Sequence, residues 1–145
     1  PEVPAVFQRV RDKALDHLAE LGQGPDQFNL IHADIHQHNF LFQGDQIVLL
    51  DFDDCGFGHF VYDMGVTLFY RQRYGHYATE RAAYLAGYRQ LRDFPASFEP
   101  YVDSCIALRD VLLALYVLAR AADHPDARQR AGAYLTAVAQ RQANF

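Results

Sequence analysis

Hydrophobic positions along the chain change their period twice. Over residues 3–21, Phe7, Val10, Ala14, Leu18 and Leu21 recur at helical spacing with charged residues on the opposite face, which predicts an amphipathic helix. Gly22, Gly24 and Pro25 end it. The pattern then shortens. Residues 28–33 (FNLIHA) read as a strand, and the apolar runs 40–42 (FLF) and 46–50 (QIVLL) flank Gln43-Gly44-Asp45, a hairpin signal with glycine at the turn. Residues 51–60 (DFDDCGFGHF) read as a loop with two glycines, followed by a helix near 61–72. From Tyr77 onward no strand pattern returns: Tyr84, Leu85, Tyr88 and Leu91 share one helical face. Residues 102–121 are apolar over most of the helical circumference, which predicts a buried core helix. Asp123 and Pro125 restart a last helix carrying Ala131, Tyr134, Leu135 and Val138. No repeat, linker or low-complexity tract interrupts the chain. The expectation is one α+β domain over residues 1–145, mainly helical, with a small β-hairpin region near its N-terminal third.

Composition narrows the function classes. A chain of 145 residues is long enough to bury a real core. A net charge of −5 leaves no basic stripe to neutralise phosphates, which argues against a nucleic-acid partner. Two cysteines, Cys55 and Cys105, are too few for a disulfide scaffold and fit a reducing, cytoplasmic setting. No apolar run approaches membrane-spanning length and no signal-peptide pattern opens the chain, so no membrane partner is expected. The first residue is Pro1 rather than Met, which suggests a piece of a longer protein.

Polar chemistry concentrates where the strands end. Residues 32–39, HADIHQHN, set Asp34 and Asn39 five positions apart, and Asp51, opening DFDD, follows Asp34 by seventeen. A catalytic loop H-x-D-x-x-x-x-N followed by a hairpin and a second aspartate is the layout of phosphoryl-transfer loops in protein kinases. An aspartate must accept a hydroxyl proton, while hard oxygen ligands hold Mg²⁺ against the donor phosphates. The loop alone would be a weak signal; with the strand, the hairpin and the aspartate at this distance it is a strong one.

The run from LIHADIHQHNFLF through VLLDFDDCGFGHFVYDMG, residues 30–65, resembles the aminoglycoside phosphotransferase and choline kinase family, including its homoserine-kinase-like bacterial members. The resemblance implies the C-terminal lobe of a protein-kinase-like fold, in which the hairpin region carries the catalytic loop. It implies Asp34 as catalytic base and Asn39 and Asp51 as Mg²⁺ ligands, with ATP as donor and a small hydroxyl-bearing acceptor: aminoglycoside-, homoserine- or choline-like. It also implies Asp63, in VYDMG, as a structural aspartate that braces the loop. Ala33 departs from the glycine usual at its position, and His38 from a small residue. The family holds ATP between two lobes, yet the chain shows no glycine-rich phosphate loop, and its one lysine, Lys13, sits on the first helix. The nucleotide-clamping lobe is therefore expected to lie outside these residues. The lobe alone should be inactive, and its uncovered face should open a route to self-association.

Each assignment has a blander rival. Asp34 could be a strand-end cap. Asp53 or Asp54 could reach a metal or substrate, or be a solvated loop carboxylate. His32 reads better as a loop-ordering group than as acid or base, and His36 could touch a phosphate or be a structural polar contact that orders the loop, while His38 and His59 read as surface groups. Cys55 reads as a small buried filler rather than a nucleophile. Tyr70, Tyr74 and Tyr77 read as core or rim. A second function class takes the alternating His32, Asp34, His36 and His38 as a zinc or di-metal hydrolase cage, which leaves Asn39 and DFDD without a role. A third is a catalytically inactive binding module of the same fold.

Overall fold

The computed structural model describes residues 2–121 and 125–145. Its elements run α1 (Val3–Leu21), β1 (Phe28–Ile31), β2 (Phe40–Gln43), β3 (Gln46–Leu49), β4 (Gly56–His59), α2 (Phe60–Arg71), α3 (Tyr77–Leu91), a 3₁₀ turn (Ala96–Phe98), α4 (Glu99–Arg120) and α5 (Pro125–Arg141). The mainly helical α+β architecture is the one the hydrophobic pattern predicts. Asp123 lies outside the described residues.

Helix α4 is the axis of the molecule, because two cores meet on it. On one side Val102, Cys105 and Ile106 pack with Val61, Met64, Leu68 and Phe69 of α2 and Leu85 of α3. On the other, Ala107, Val111 and Ala114 pack with Val6, Phe7 and Val10 of α1 and Val138 and Ala139 of α5. Two packed faces explain the helix's apolar circumference. Burying side chains of this size contributes roughly 1.5–3 kcal/mol each. Gly65 lets α2 and α4 approach, since a Cβ there would lie 2.5 Å from Cβ of Cys105. Asp110, buried on α4, receives Nε and Nη2 of Arg141 at 3.2 and 2.8 Å and the Gln142 amide at 3.0 Å, tying α4 to the end of α5.

The structure departs from the sequence reading in three places. Residues 56–59 are not loop: β4 pairs antiparallel with β1, Ile31 opposite Gly56 and Phe28 opposite His59. Four residues alternating glycine with aromatics carry little strand propensity, and Gly58 is there because a Cβ would collide with the Ile31 side chain. Leu91 is 89% exposed rather than sharing the buried face of Leu85, because α3 ends there. The last turns of α4 are also not buried, with Leu112, Leu115 and Tyr116 exposed.

The β2–β3 hairpin forms as expected, closed by the two-residue Gly44–Asp45 turn with Gln43 opposite Gln46. It forms a separate two-stranded sheet beside β1–β4. Nearly every side chain on it is exposed, including Leu41, Phe42 and Ile47. No described helix is long and apolar enough to cross a membrane.

Candidate active site

Residues 32–39 connect β1 to β2, and α2 fixes their path from below. The Asp63 carboxylate, in the first turn of α2, accepts two backbone hydrogen bonds, from His32 N–H at 2.9 Å and Ala33 N–H at 2.7 Å. One helical turn on, the Thr67 hydroxyl points to the carbonyls of Ile35 at 3.1 Å and Asp63 at 3.0 Å. Ala33 adopts φ 65°, a left-handed conformation that an L side chain enters at a cost of about 1 kcal/mol. The position therefore favours glycine for a backbone reason.

His32 holds the loop to Leu50, the residue that follows β3. Its ring is buried, with Nε2–H donating to the Leu50 carbonyl at 2.8 Å and Nδ1 accepting from Asp34 N–H at 3.3 Å. The Leu50 N–H returns a bond to the Asn39 carbonyl at 2.9 Å. Leu50 is thus pinned on both sides, which sets Asp51 next to Asn39. Asp51 itself sits at φ 60°, a conformation aspartate tolerates better than most residues.

Asp34 is the most densely contacted side chain of the loop. The Asn39 amide donates to the Asp34 carbonyl at 3.0 Å and to Oδ2 at 3.3 Å. His36 Nε2 lies 3.4 Å from Oδ2, while its Nδ1 accepts from His38 N–H at 3.2 Å, which places the ring proton on Nε2. Oδ1 accepts from Nη2 of Arg109, which also donates to the Tyr70 hydroxyl at 3.0 Å. Burial works against the Arg109 charge, but its bond to Tyr70 and the potentials of Tyr70, Asp34 and Tyr62 outweigh it, and its pKa is raised.

These groups open on a cleft of about 800 Å³. One wall is acidic: Asp34, Asp51, Asp53 and Asp54. The other is Tyr70 and a stripe of α4 at helical spacing: Arg109, Leu112, Leu113, Tyr116 and Arg120. Asp51, Asp53 and Asp54 accept no hydrogen bond from any described side chain, and their carboxylates are exposed. The donor set suits a hard divalent cation. Asn39 spends its amide N–H on Asp34, which leaves its side-chain carbonyl oxygen without a hydrogen-bond donor among the described residues. Mg²⁺ takes few protein oxygens and completes its shell with water and phosphate. The histidine cage does not assemble. Among the described residues no three His, Cys, Asp or Glu side chains gather as metal ligands, and both ring nitrogens of His32 are already bonded.

Several other groups sit differently from their sequence reading. Cys55 is exposed, not a buried filler. His59 is half-buried, its Nε2 bonded to the Gly22 carbonyl at 2.9 Å and its ring against Phe28, so it joins β4 to the end of α1. Tyr70 packs against the first core, as a core or rim residue should, and its hydroxyl side also lines the cleft. No motif singles out Arg109, although Arg109 and Asp110 are the only charges between Asp103 and Arg120. Charges inside an apolar helix require partners, and that was the available signal.

Comparison with known proteins follows the same lines. The profile of the phosphotransferase enzyme family matches residues 1–98. Amicoumacin kinase of Bacillus subtilis (strain 168) is 38% identical over 64 residues, 44% of this chain and 19% of that protein. The structure of a microcompartment-associated aminopropanol kinase matches with a TM-score of 0.74 at 32% identity, over 95% of this chain and 43% of its own. An amicoumacin kinase in complex with AMP-PNP, Ca²⁺ and Ami matches with a TM-score of 0.76 at 23% identity, over 97% and 46%, and speaks for the fold alone. The chain spans less than half the length of each of these relatives. With a kinase-like fold and a family match over residues 1–98, the chain belongs to the phosphotransferase enzyme family, the grouping its loop motif resembles.

Proposed function

We propose that these residues are the acceptor-side lobe of an ATP-dependent kinase that phosphorylates a hydroxyl group of a small molecule. The observation that carries the reading is that Asp34 and Asp51 open on one cleft, with Asn39 bonded to Asp34 behind it and the loop braced from α2 by Asp63. In this reading Asp34 takes the proton of the acceptor hydroxyl as its oxygen attacks the γ-phosphorus. The new O–P bond forms as the bond from the γ-phosphorus to the β,γ-bridging oxygen breaks, and ADP leaves with that oxygen. Asn39 and Asp51 would hold Mg²⁺, with Asp53 as a further candidate; when bound, the ion neutralises charge on the phosphate oxygens. His32, His36 and Asp63 keep the loop in register. The α4 stripe forms the wall against which the acceptor lies.

The nucleotide-clamping lobe is proposed to lie outside these 145 residues. Lys13 lies on α1 and bonds the Phe145 carbonyl at 3.0 Å, so it is engaged far from the loop. The experiment is ³¹P NMR of the intact protein with ATP, Mg²⁺ and a panel of amino alcohols, sugars and aminoglycosides. The expected result is a phosphate monoester in the presence of one acceptor class and none after chelation. Release of inorganic phosphate alone, unaffected by any acceptor, would contradict the reading.

A further inference from the structure

Arg109 is an unusual residue to find where it is. It stands between Leu108 and the buried Asp110–Val111 pair of α4, with only 14% of its side chain exposed. A guanidinium carries five N–H donors in a fixed fork, and leaving one buried and unpaired costs free energy. Arg109 leaves Nε buried without a partner and places Nη2 on two groups at once, Asp34 Oδ1 and the Tyr70 hydroxyl.

The same helix supplies a contrast. Arg141 meets Asp110 through both Nε and Nη2, one on each carboxylate oxygen, and Gln142 adds a third bond. That is the fork-to-fork geometry of a pair that ties two helices together. Arg109 instead grips a single oxygen of Asp34. The other oxygen is left with the longer contacts to Asn39 at 3.3 Å and His36 at 3.4 Å. One oxygen is anchored, and the other is held loosely enough to exchange a partner. Tyr70 supplies the second leg of the anchor from α2, with its ring edge against His36 at 4.9 Å between centroids.

We propose that Arg109 is a positioning residue for phosphoryl transfer: tethered by Tyr70, it holds Oδ1 of Asp34 so that Oδ2 faces the acceptor hydroxyl. The inference rests on Asp34 being the base. It assigns Arg109 no contact with nucleotide, so its loss should fall on turnover and spare ATP binding.

The test is a double-mutant cycle in the intact kinase, with Arg109→Met and Arg109→Lys each made alone and with Asp34→Asn, and Tyr70→Phe made alone. A misplaced base loses roughly 10–100-fold, so Arg109→Met should lower kcat by that factor with KM for ATP unchanged. Arg109→Lys should recover part of the loss, and Tyr70→Phe should show a smaller drop of the same kind. In the Asp34→Asn background, where no carboxylate remains to orient, adding Arg109→Met should change kcat less than about threefold. The paired variant also removes both charges together, so it folds without an unpaired one. If Arg109→Met lowers kcat by the same factor in both backgrounds, the residue is structural and the inference is wrong. It is equally wrong if Arg109→Met leaves kcat unchanged while Asp34→Asn abolishes it. Full activity in Asp34→Asn alone would instead remove the underlying base assignment.

Discussion

At the scale of single residues, the loop is built from backbone donors that would otherwise be orphaned. Asp63 satisfies two of them, His32 N–H and Ala33 N–H, close under the buried His32 ring. Losing both acceptors should cost about 2–6 kcal/mol, since each buried unsatisfied donor costs roughly 1–3. Asp63→Ala should therefore melt well below Asp63→Asn, which keeps one acceptor; equal melting temperatures would show that the two bonds carry no weight. Ala33 offers the opposite change. Relief of its left-handed backbone is partly offset by the greater freedom of glycine in the unfolded chain, so Ala33→Gly should stabilise by about 0.5 kcal/mol. A lower melting temperature would contradict this. Asp34, Asn39 and Asp51 could be picked out by spacing, because a catalytic loop fixes short distances along the chain, whereas Asp63 follows only from the family resemblance of VYDMG. Arg109 could not, because it reaches Asp34 across 75 residues of sequence and only the packing of α4 on α2 brings it there.

At the scale of elements, helices were legible and their exposed ends were not. Periodicity identifies an apolar face but not whether another element covers it, which is why residues 102–121 read as buried throughout while Leu112, Leu115 and Tyr116 are open. Strand β4 was missed for the reverse reason: its pairing with β1 is set by tertiary fit of Gly58 against Ile31, not by its own propensity. The β2–β3 hairpin was read correctly from its turn, and its exposure has a consequence. Leu41 and Val48 on one face and Phe42 and Ile47 on the other leave both sides of the two-stranded sheet apolar and uncovered, an arrangement that favours association. Sedimentation of the isolated chain should show oligomers that grow with concentration, and the pair Phe42→Ser and Ile47→Ser should return it to monomer. A monomer at every concentration would contradict the expectation.

At the scale of the whole molecule, α4 carries both stability and site, so conditions that loosen its core should show in the fold before they show in the loop. Burial pushes the Cys105 thiol from 9.0 up to about 12. Burial likewise raises the Tyr84 hydroxyl from 10.0 to about 12, with help from the negative charge of Asp63. Both groups stay protonated in the fold while the unfolded chain has already released its protons. Their stabilisation is present below pH 9 and is lost as pH rises from about 9 toward 12. The melting temperature should therefore fall steadily across that window, and a flat profile would count against the buried environment of both groups. The proposed chemistry turns on Asp34, and the most direct measurement is single-turnover phosphoryl transfer by the intact protein with Asp34 replaced by Asn, alongside nucleotide affinity. A positioned base contributes roughly 10²–10⁴-fold, so the rate should fall by that factor while ATP affinity stays within about twofold. Transfer to the acceptor at the unaltered rate would contradict the account at its centre.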